Sequence, residues 1–410
     1  MMMFKILKLA LKNVTRNKRR TIITVLMIAF GILVTIFLSG FLGSIAKDLR
    51  LAVIEGETGD IQIMANGYKE NRLPGNLDYI IPNSSKLMAE IQSEPGITAV
   101  VSRVSVSGLI SNGKQSIYCW GSAIEPSTVG KTLPKMLQES TGERRLSLKG
   151  EDGIILGQGL AKKLKAGVGS TLFMVSYDKY GSMGSVNFTV TDINKYATDA
   201  ENDGKIIMTT ANAVNLLALS DEVTEICIKV KERNQVDSIA SQLKAKYGAK
   251  YNIEVYPWQD LMGSYAQTIG MFDSVQFIIL LIMAIVVMIG VINTILMSVF
   301  ERTSEIGTLM ALGSSKKRII ALFMAESFWI GTIGGIIGAI VGLIIVSLAN
   351  ISGIPFASPG TTQVFYIKPI LNPGIVITPP VFLIFVSILA GIYPARFAAK
   401  LNPVEAIRKA

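Results

Sequence analysis

Hydrophobic and polar positions in this chain are organised on two length scales. Four long apolar runs occupy residues 21–43, 275–300, 319–348 and 375–392. As helices, the first three suffice to cross about 30 Å of hydrocarbon. The fourth is shorter and contains Pro379 and Pro380, which a span tolerates where neighbouring helices satisfy the freed carbonyls. Between the first and second runs the pattern shortens. Alternation predicts strands at 60–64 and 97–110, residues 113–121 resemble a hairpin arm, strands are expected at 171–176, 185–193 and 252–256, and short segments at 153–156, 206–209, 211–217 and 225–230 fall between them. Helical stretches are predicted at 84–93, 158–164 and 235–247. Short strands with a few helices make an α+β domain, spanning residues 54–257. Symmetry suggests that fragments 55–100 and 223–257 form one lobe, interrupted by an inserted strand-rich lobe at 105–222.

The edges of the runs add further elements. Residues 1–20 place Phe4, Leu7, Ala10, Leu11 and Val14 at helical spacing with lysines between them. This predicts an amphipathic helix at the inner membrane surface; the plainer alternative is a positive anchor for the first span. The first span is expected to continue as a helix to residue 53, and a second helical stretch, 258–273, leads into the second span at 258–300. Together they would form a stalk.

Charge orients this plan. Segments 1–20, 301–318 and 393–410 hold 15 basic and 3 acidic residues, whereas 46–270 holds 24 basic and 25 acidic ones. The formal charge of +10 is therefore a positive-inside signature rather than a nucleic-acid footprint. It predicts an α-helical membrane protein with four transmembrane helices and a large α+β extracytoplasmic domain inserted between the first and second helices. Both termini and the 301–318 loop face the cytoplasm, while the 349–374 loop faces outward.

Composition excludes more chemistry than it suggests. The chain has no histidine and no G-x-x-x-x-G-K-[ST] motif. It is expected to be no enzyme, with no catalytic residue, metal site or bound cofactor of its own. Cys119 and Cys227 both fall in the outward domain, where a disulfide and two buried unpaired thiols both stay open. The third span carries Gly331, Gly334, Gly335 and Gly338 at spacings that let helices approach closely. Packing is expected there, within the subunit or across a dimer. Glu326 opens the same span, and a carboxylate at that depth needs a partner; the 301–318 loop is the candidate.

That loop, ERTSEIGTLMALGSSKKR, is the most informative stretch. Ile306, Leu309, Met310 and Leu312 give it an apolar side, flanked by Glu301, Arg302 and Glu305. A short helix of this kind can dock in a groove of a soluble partner. Gly313 before Ser314 allows a sharp exit, and Lys316, Lys317 and Arg318 would sit at the headgroups. A simple surface connector is the plain alternative.

Several segments together resemble the permease subunits of type VII ABC transporters, the MacB, lipoprotein-releasing and FtsX superfamily. Glu301, Arg302, Glu305, Ile306, Gly307, Ala311 and Gly313 stand in the register of that family's E-R-x-x-E-I-G-x-x-x-A-x-G coupling segment. Residues 154–172 look like its outward-domain signature. Residues 391–410 are similar to its terminal motif, through Gly391, Pro394, Ala395, Ala398, Pro403, Glu405, Ala406, Ile407 and Arg408. Asn13, Arg16, Arg19, Arg20 and Thr21 agree with its N-terminal segment. The resemblance covers essentially the full chain. It implies location in the cytoplasmic (inner) membrane and mechanotransmission driven by a separate cytoplasmic ABC ATPase dimer, which would bind ATP and Mg. It also implies a second permease subunit, identical or related. Glu301, Arg302, Glu305, Ile306, Gly307, Met310, Ala311 and Gly313 become the expected ATPase-coupling residues.

The resemblance leaves the cargo open. Lipoprotein release is the favoured expectation, since those permeases have a separate ATPase and residues 59–64 resemble their G-x-I-x-I strand. MacB-like export of a drug, peptide or toxin with an adaptor protein is the alternative, and a non-transport scaffold or sensor is the rival from another class. If lipoprotein is the cargo, Phe37, Phe41, Met271 and Phe272 lie at the depth where acyl chains would enter. Tyr177 and Tyr180, in the only candidate hairpin tip, are the expected contacts for a periplasmic carrier or adaptor. That tip lacks the proline-rich character of the family's carrier-binding hook.

Overall fold

The computed structural model describes residues 2–138, 144–196, 198–357 and 364–402. The last residues of the terminal motif, Pro403, Glu405, Ala406, Ile407 and Arg408, lie outside them, as does part of the 349–374 loop. The chain forms two compact units. One comprises the residues up to Ala46, Thr268–Ile354, and those from Tyr366 on; the other comprises Lys47–Gln267 and part of the 355–365 segment.

In the first unit, α1 (Met2–Val14) is followed by a break and then by α2 (Lys18–Val53). The single helix expected over residues 1–20 is therefore two. The Thr15 hydroxyl donates back to the Lys12 carbonyl at 2.9 Å and that of Thr21 to the Val14 carbonyl at 2.8 Å. Side chains thus satisfy carbonyls at the end of α1, and the chain turns.

The second unit is built on a nine-stranded sheet. Its strands are β1 (Ile61–Ala65), β2 (Ile97–Ser111), β3 (Ser116–Ile124), β4 (Gly153–Gly157), β5 (Thr171–Tyr177), β6 (Met183–Asn194), β7 (Lys205–Thr209), β8 (Glu225–Val230) and β9 (Ile253–Pro257). Its helices are α3 (Ser84–Gln92), α4 (Pro126–Thr132), α5 (Gln158–Lys163), α6 (Asp199–Gly204), α7 (Thr210–Leu217) and α8 (Val236–Tyr251). The strand order is β3-β7-β4-β6-β5-β2-β8-β1-β9, and β3 also pairs with β2. Strands β3, β7, β4, β6, β5 and β2 thus close a ring, while β8, β1 and β9 extend from it as an open sheet. The lobe boundary expected near residue 105 falls inside β2. That strand pairs β8 from Ile97 to Arg103 and β3 from Arg103 to Ser111. Ile61, Ile63, Val104, Val106, Ile154, Leu156, Phe188, Ile226 and Ile228 join one core across both parts. Cys119 and Cys227 are free and buried; burial raises their thiols to about 12 and about 11, so both stay protonated at neutral pH.

The helix expected to start at residue 258 is also divided. A 3-10 turn at Trp258–Leu261 is followed by Gly263 at φ 48°, and only then does α9 (Ser264–Glu301) begin. A left-handed glycine ends one helical segment and lets the next start in a new direction. The remaining helices are α10 (Thr303–Ala311), α11 (Lys316–Ser352) and α12 (Pro373–Ala398). Helix α12 runs past the expected 375–392 at both ends, and its earlier start is set by Pro373 in its first turn and the Asn372 side chain, which accepts from the Ile375 amide at 2.8 Å. Among the described residues, four helices are long and apolar enough to cross a membrane. Within the first unit their core is read off four-residue steps: Ile28, Ile32 and Ile36 on α2, and Val287, Val291, Ile295 and Val299 on α9.

Candidate functional site

Helix α10 is nine residues long. Alone it would be too short to persist in water. Ile306 is 2% exposed and joins the core of the helical unit. Gly307 is buried and Met310 is half-buried. The outward side consists of Thr308, Leu309, Ala311 and Leu312, with Leu312 81% exposed. The helix stops in a Schellman turn. Gly313, at φ 88°, donates to the Met310 carbonyl and Ser314 donates to the Leu309 carbonyl, both at 3.0 Å. Of the expected coupling residues, Ile306 and Gly307 face inward, so the exposed side of α10 is the 308–313 side.

The polar residues around α10 form one network with the N-terminal segment. Glu301 accepts from Arg20 at 2.7 Å and from Asn17 at 2.7 Å. Glu305 pairs with Arg16 at 2.6 Å and with Arg302 at 2.9 Å. Arg302 reaches Glu326 on α11 at 3.0 Å, and the Asn13 amide donates to the same carboxylate at 2.7 Å. Glu326 is 2% exposed, so these two donors carry the cost of placing its carboxylate in an apolar helix. Arg302 first, and Arg16 second, hold the Glu305 carboxyl below its ordinary range. The expected link from Glu326 to the loop is thus the Arg302 pair. Asn13, Arg16, Asn17 and Arg20 were missed as partners. Their signal was present: Arg16 and Arg20 sit four residues apart, and so do Glu301 and Glu305.

The glycines of α11 face two helices. A Cβ on Gly334 or Gly338 would lie 2.8 Å from Ile28 Cβ and 2.6 Å from the Ala29 carbonyl oxygen, both on α2. One on Gly331 would lie 2.0 Å from Ser387 Oγ, and one on Gly335 2.9 Å from Ile384 Cδ1, both on α12. These four glycines pack within the subunit. Sequence reasoning missed the reciprocal contact from α12, where a Cβ on Gly391 would meet Ser327 Oγ at 2.1 Å.

Phe37 and Phe41 stack with ring centroids 6.3 Å apart. Helices α2 and α9 run antiparallel, with the Thr24 and Thr294 hydroxyls 2.6 Å apart and Gly31 against Met283. Continuing that register brings Phe41 to the level of Phe272; Met271 beside it is exposed.

In the other unit, the 177–185 tip is the turn between β5 and β6. The Asp178 carboxylate accepts from the Tyr180 and Ser182 amides at 2.8 and 2.9 Å. Tyr177, Tyr180 and Met183 are more than two-thirds exposed. Cross-strand register extends this face: Tyr177 pairs with Met183, Leu109 with Val175, and Leu109 with Tyr118. Leu109 and Tyr118 are exposed as well, so the tip belongs to a larger apolar face, in excess of the scattered hydrophobics normal at a surface.

A short capped helix thus lies between two helices long and apolar enough to span a membrane, and a mixed sheet domain follows the first such helix. Residues 21–246 match the MacB-like periplasmic core domain, and residues 277–403 match the FtsX-like permease C-terminal family. The chain belongs to the MacB-like periplasmic core domain family and is an ABC transporter permease of the type VII superfamily. It is 22% identical to an uncharacterized ABC transporter permease of Methanocaldococcus jannaschii, over 98% of this chain and 97% of that one. It is 24% identical to the lipoprotein-releasing system transmembrane protein LolC of Neisseria meningitidis serogroup B, over 90% of this chain and 91% of LolC. It is 30% identical to the macrolide export ATP-binding/permease protein MacB of Agrobacterium fabrum, over 44% of this chain and 27% of MacB.

Proposed function

We propose that this chain is the mechanotransmission subunit of its transporter. ATP turnover in a separate cytoplasmic ATPase dimer is received by α10 and passed through the spanning helices to the extracytoplasmic domain. In this reading ATP and Mg belong to the ATPase, the chain catalyses nothing, and it works beside a second permease subunit. Both termini and the 301–318 loop lie in the cytoplasm in this reading, which their basic excess supports. The carrying observation is the construction of α10. It is anchored on one side by Ile306, stopped by the Schellman turn, and left with Leu309 and Leu312 outward between two spanning helices. Replacing Leu312 by Asp tests it, because an 81% exposed side chain can change without disturbing the core. Affinity for the ATPase subunit should fall by about tenfold or more, as for a lost interface anchor. Unchanged co-purification and unchanged ATP-driven activity would sink the coupling reading and favour a stand-alone scaffold or sensor.

For the cargo, we infer release of lipoproteins from the cytoplasmic membrane. The end-to-end likeness to LolC supports this, with nine-tenths of each chain aligned. Phe37, Phe41, Met271 and Phe272 then form the acyl-chain entry. Export of the MacB kind is the second reading, supported by the core-domain match at 21–246. Tyr177 and Tyr180 meet a lipoprotein carrier in the first case and an adaptor protein in the second. Binding of purified carrier and of purified adaptor to the immobilised chain, with and without Tyr177→Ser and Tyr180→Ser, separates the two.

A further inference from the structure

We propose that the N-terminal segment, through Asn13, Arg16 and Arg20, is a positioning arm of the coupling unit and sets the orientation in which α10 meets the ATPase. The inference rests on the coupling reading above. Helix α10 has little of its own to hold it in place. The buried contribution comes from Ile306 and Gly307, and a left-handed glycine follows at its end. Its remaining restraints are polar and come from three other helices. Arg302 ties Glu305 on α10 to Glu326 on α11. Arg16, between α1 and α2, makes a second tie to Glu305. Arg20 on α2 and Asn17 fix Glu301, one residue before the break that starts α10. Asn13, near the end of α1, completes the Glu326 site.

The arm itself has a firm root. The Trp329 indole N–H donates to the Leu7 carbonyl at 3.0 Å, and Ala10 is buried against Leu322 and Ala325. The segment is therefore held by α11 on one side and grips the flanks of α10 on the other. An anchor that served only to retain the first span in the membrane would need positive charge alone. It would not need an asparagine aimed at a buried carboxylate, nor arginines at the four-residue spacing of the two facing glutamates.

Two measurements on the full chain in nanodiscs test this. In the first, a spin label at Leu312→Cys reports the mobility of α10; both native cysteines are buried, so labelling is selective. Arg16→Glu sets a like charge against Glu305, and the side chains are 65% and 43% exposed, so folding is spared. The spectrum should sharpen, and an unchanged spectrum would overturn the proposal.

In the second, the chain is assembled with its ATPase and permease-dependent ATP turnover is followed. Arg20→Glu and Glu301→Arg should each lower the maximal rate by about tenfold, within the usual range of a coupling free energy. The thermal midpoint and the KM for ATP should not move, and the double variant should recover most of the rate. Single variants at the normal rate, or a double variant no better than either single, would refute the arm. Leu312→Asp separates the levels. If it abolishes ATPase binding while Arg16→Glu and Arg20→Glu change nothing, the arm fails and the coupling reading stands. If Leu312→Asp is also silent, both fail.

Discussion

Two polar networks in this protein use the same chemistry in opposite settings. In the sheet domain, Glu225 on β8 is 1% exposed and Arg103 on β2 is 5% exposed. They are direct cross-strand partners and form an ion pair. Arg72 adds a second guanidinium at 2.9 Å, and Arg103 also donates to the Glu57 carbonyl at 2.6 Å. That carbonyl belongs to the π-helical turn Ile54–Thr58, so the pair ties two strands and that turn together. Around α10, by contrast, Arg16 and Glu305 are about half in water. An exposed pair contributes little to stability because solvent already satisfies both charges. A buried pair contributes mainly as a constraint, since removing one partner strands the other. The Arg103–Glu225 pair is a buried constraint, whereas the Arg16–Glu305 pair at the outer edge of the α10 network, whose inner part is the buried Arg302–Glu326 pair, is weakened by solvent.

The sharpest way to break this comparison is at Glu225. Glu225→Ala leaves Arg103 buried with only the Glu57 carbonyl and should destabilise the sheet domain by about 3–5 kcal/mol. Denaturant unfolding followed through Trp120 and Trp258 would measure it. Arg103→Met combined with Glu225→Leu, which removes both charges, should regain most of the loss. A cost below about 1 kcal/mol for Glu225→Ala would put this pair in the same class as the exposed ones.

Packing in the spans comes next in size. At Gly338 an added Cβ would lie 2.6 Å from the Ala29 carbonyl oxygen and 2.8 Å from its Cα, so α2 and α11 would have to separate. Gly338→Ala should cost about 1–3 kcal/mol, read as a lower thermal midpoint in detergent. Gly270→Ala, where nothing lies within 4 Å, is the control and should not lower it. Equal effects at both positions would mean that propensity rather than close approach dominates.

The two regions were unequally legible in the sequence. The spans and most strands follow from local period, and so do the core rows Ile28–Ile32–Ile36 and Val287–Val291–Ile295–Val299. Glycines 331, 334, 335 and 338 signalled close approach, but spacing alone could not say that alternate members face α2 and α12. Residue 105, where the inserted lobe is expected to begin, falls within β2, one uninterrupted strand that changes partners at Arg103, so local pattern marks no boundary there. Chain breaks were the hardest to read. Those at residues 15–17 and 262–263 depend on single hydroxyl bonds or one left-handed glycine, which hydropathy does not register. The 301–313 motif was legible, but not the inward turn of Ile306 and Gly307, nor the contacts that Asn13, Arg16 and Arg20 make around it. Those contacts span 281 to 313 positions of sequence, so the matching four-residue spacings of Arg16/Arg20 and Glu301/Glu305 hint at a pairing that only tertiary packing brings about.

The smallest predicted effect tests the exposed network without mutation. Arg302 and then Arg16 lower the folded pKa of Glu305 below its ordinary 4.5. A lowered carboxylate pKa stabilises the folded contact above the ordinary value, and the stabilisation is lost as pH falls through the folded value. Mobility of a label at residue 312 should therefore be flat from neutral pH down to about 5 and rise only below about 4.5. Raising salt toward 1 M at pH 7 shortens the screening length to about 3 Å and should produce a similar, modest loosening. The Arg103–Glu225 pair is shielded from ions by its burial, so the same salt step should leave sheet-domain unfolding unchanged apart from general salt effects on hydrophobic burial. A label insensitive to both acid and salt would mean that Ile306, rather than the charged arm, holds α10 in place.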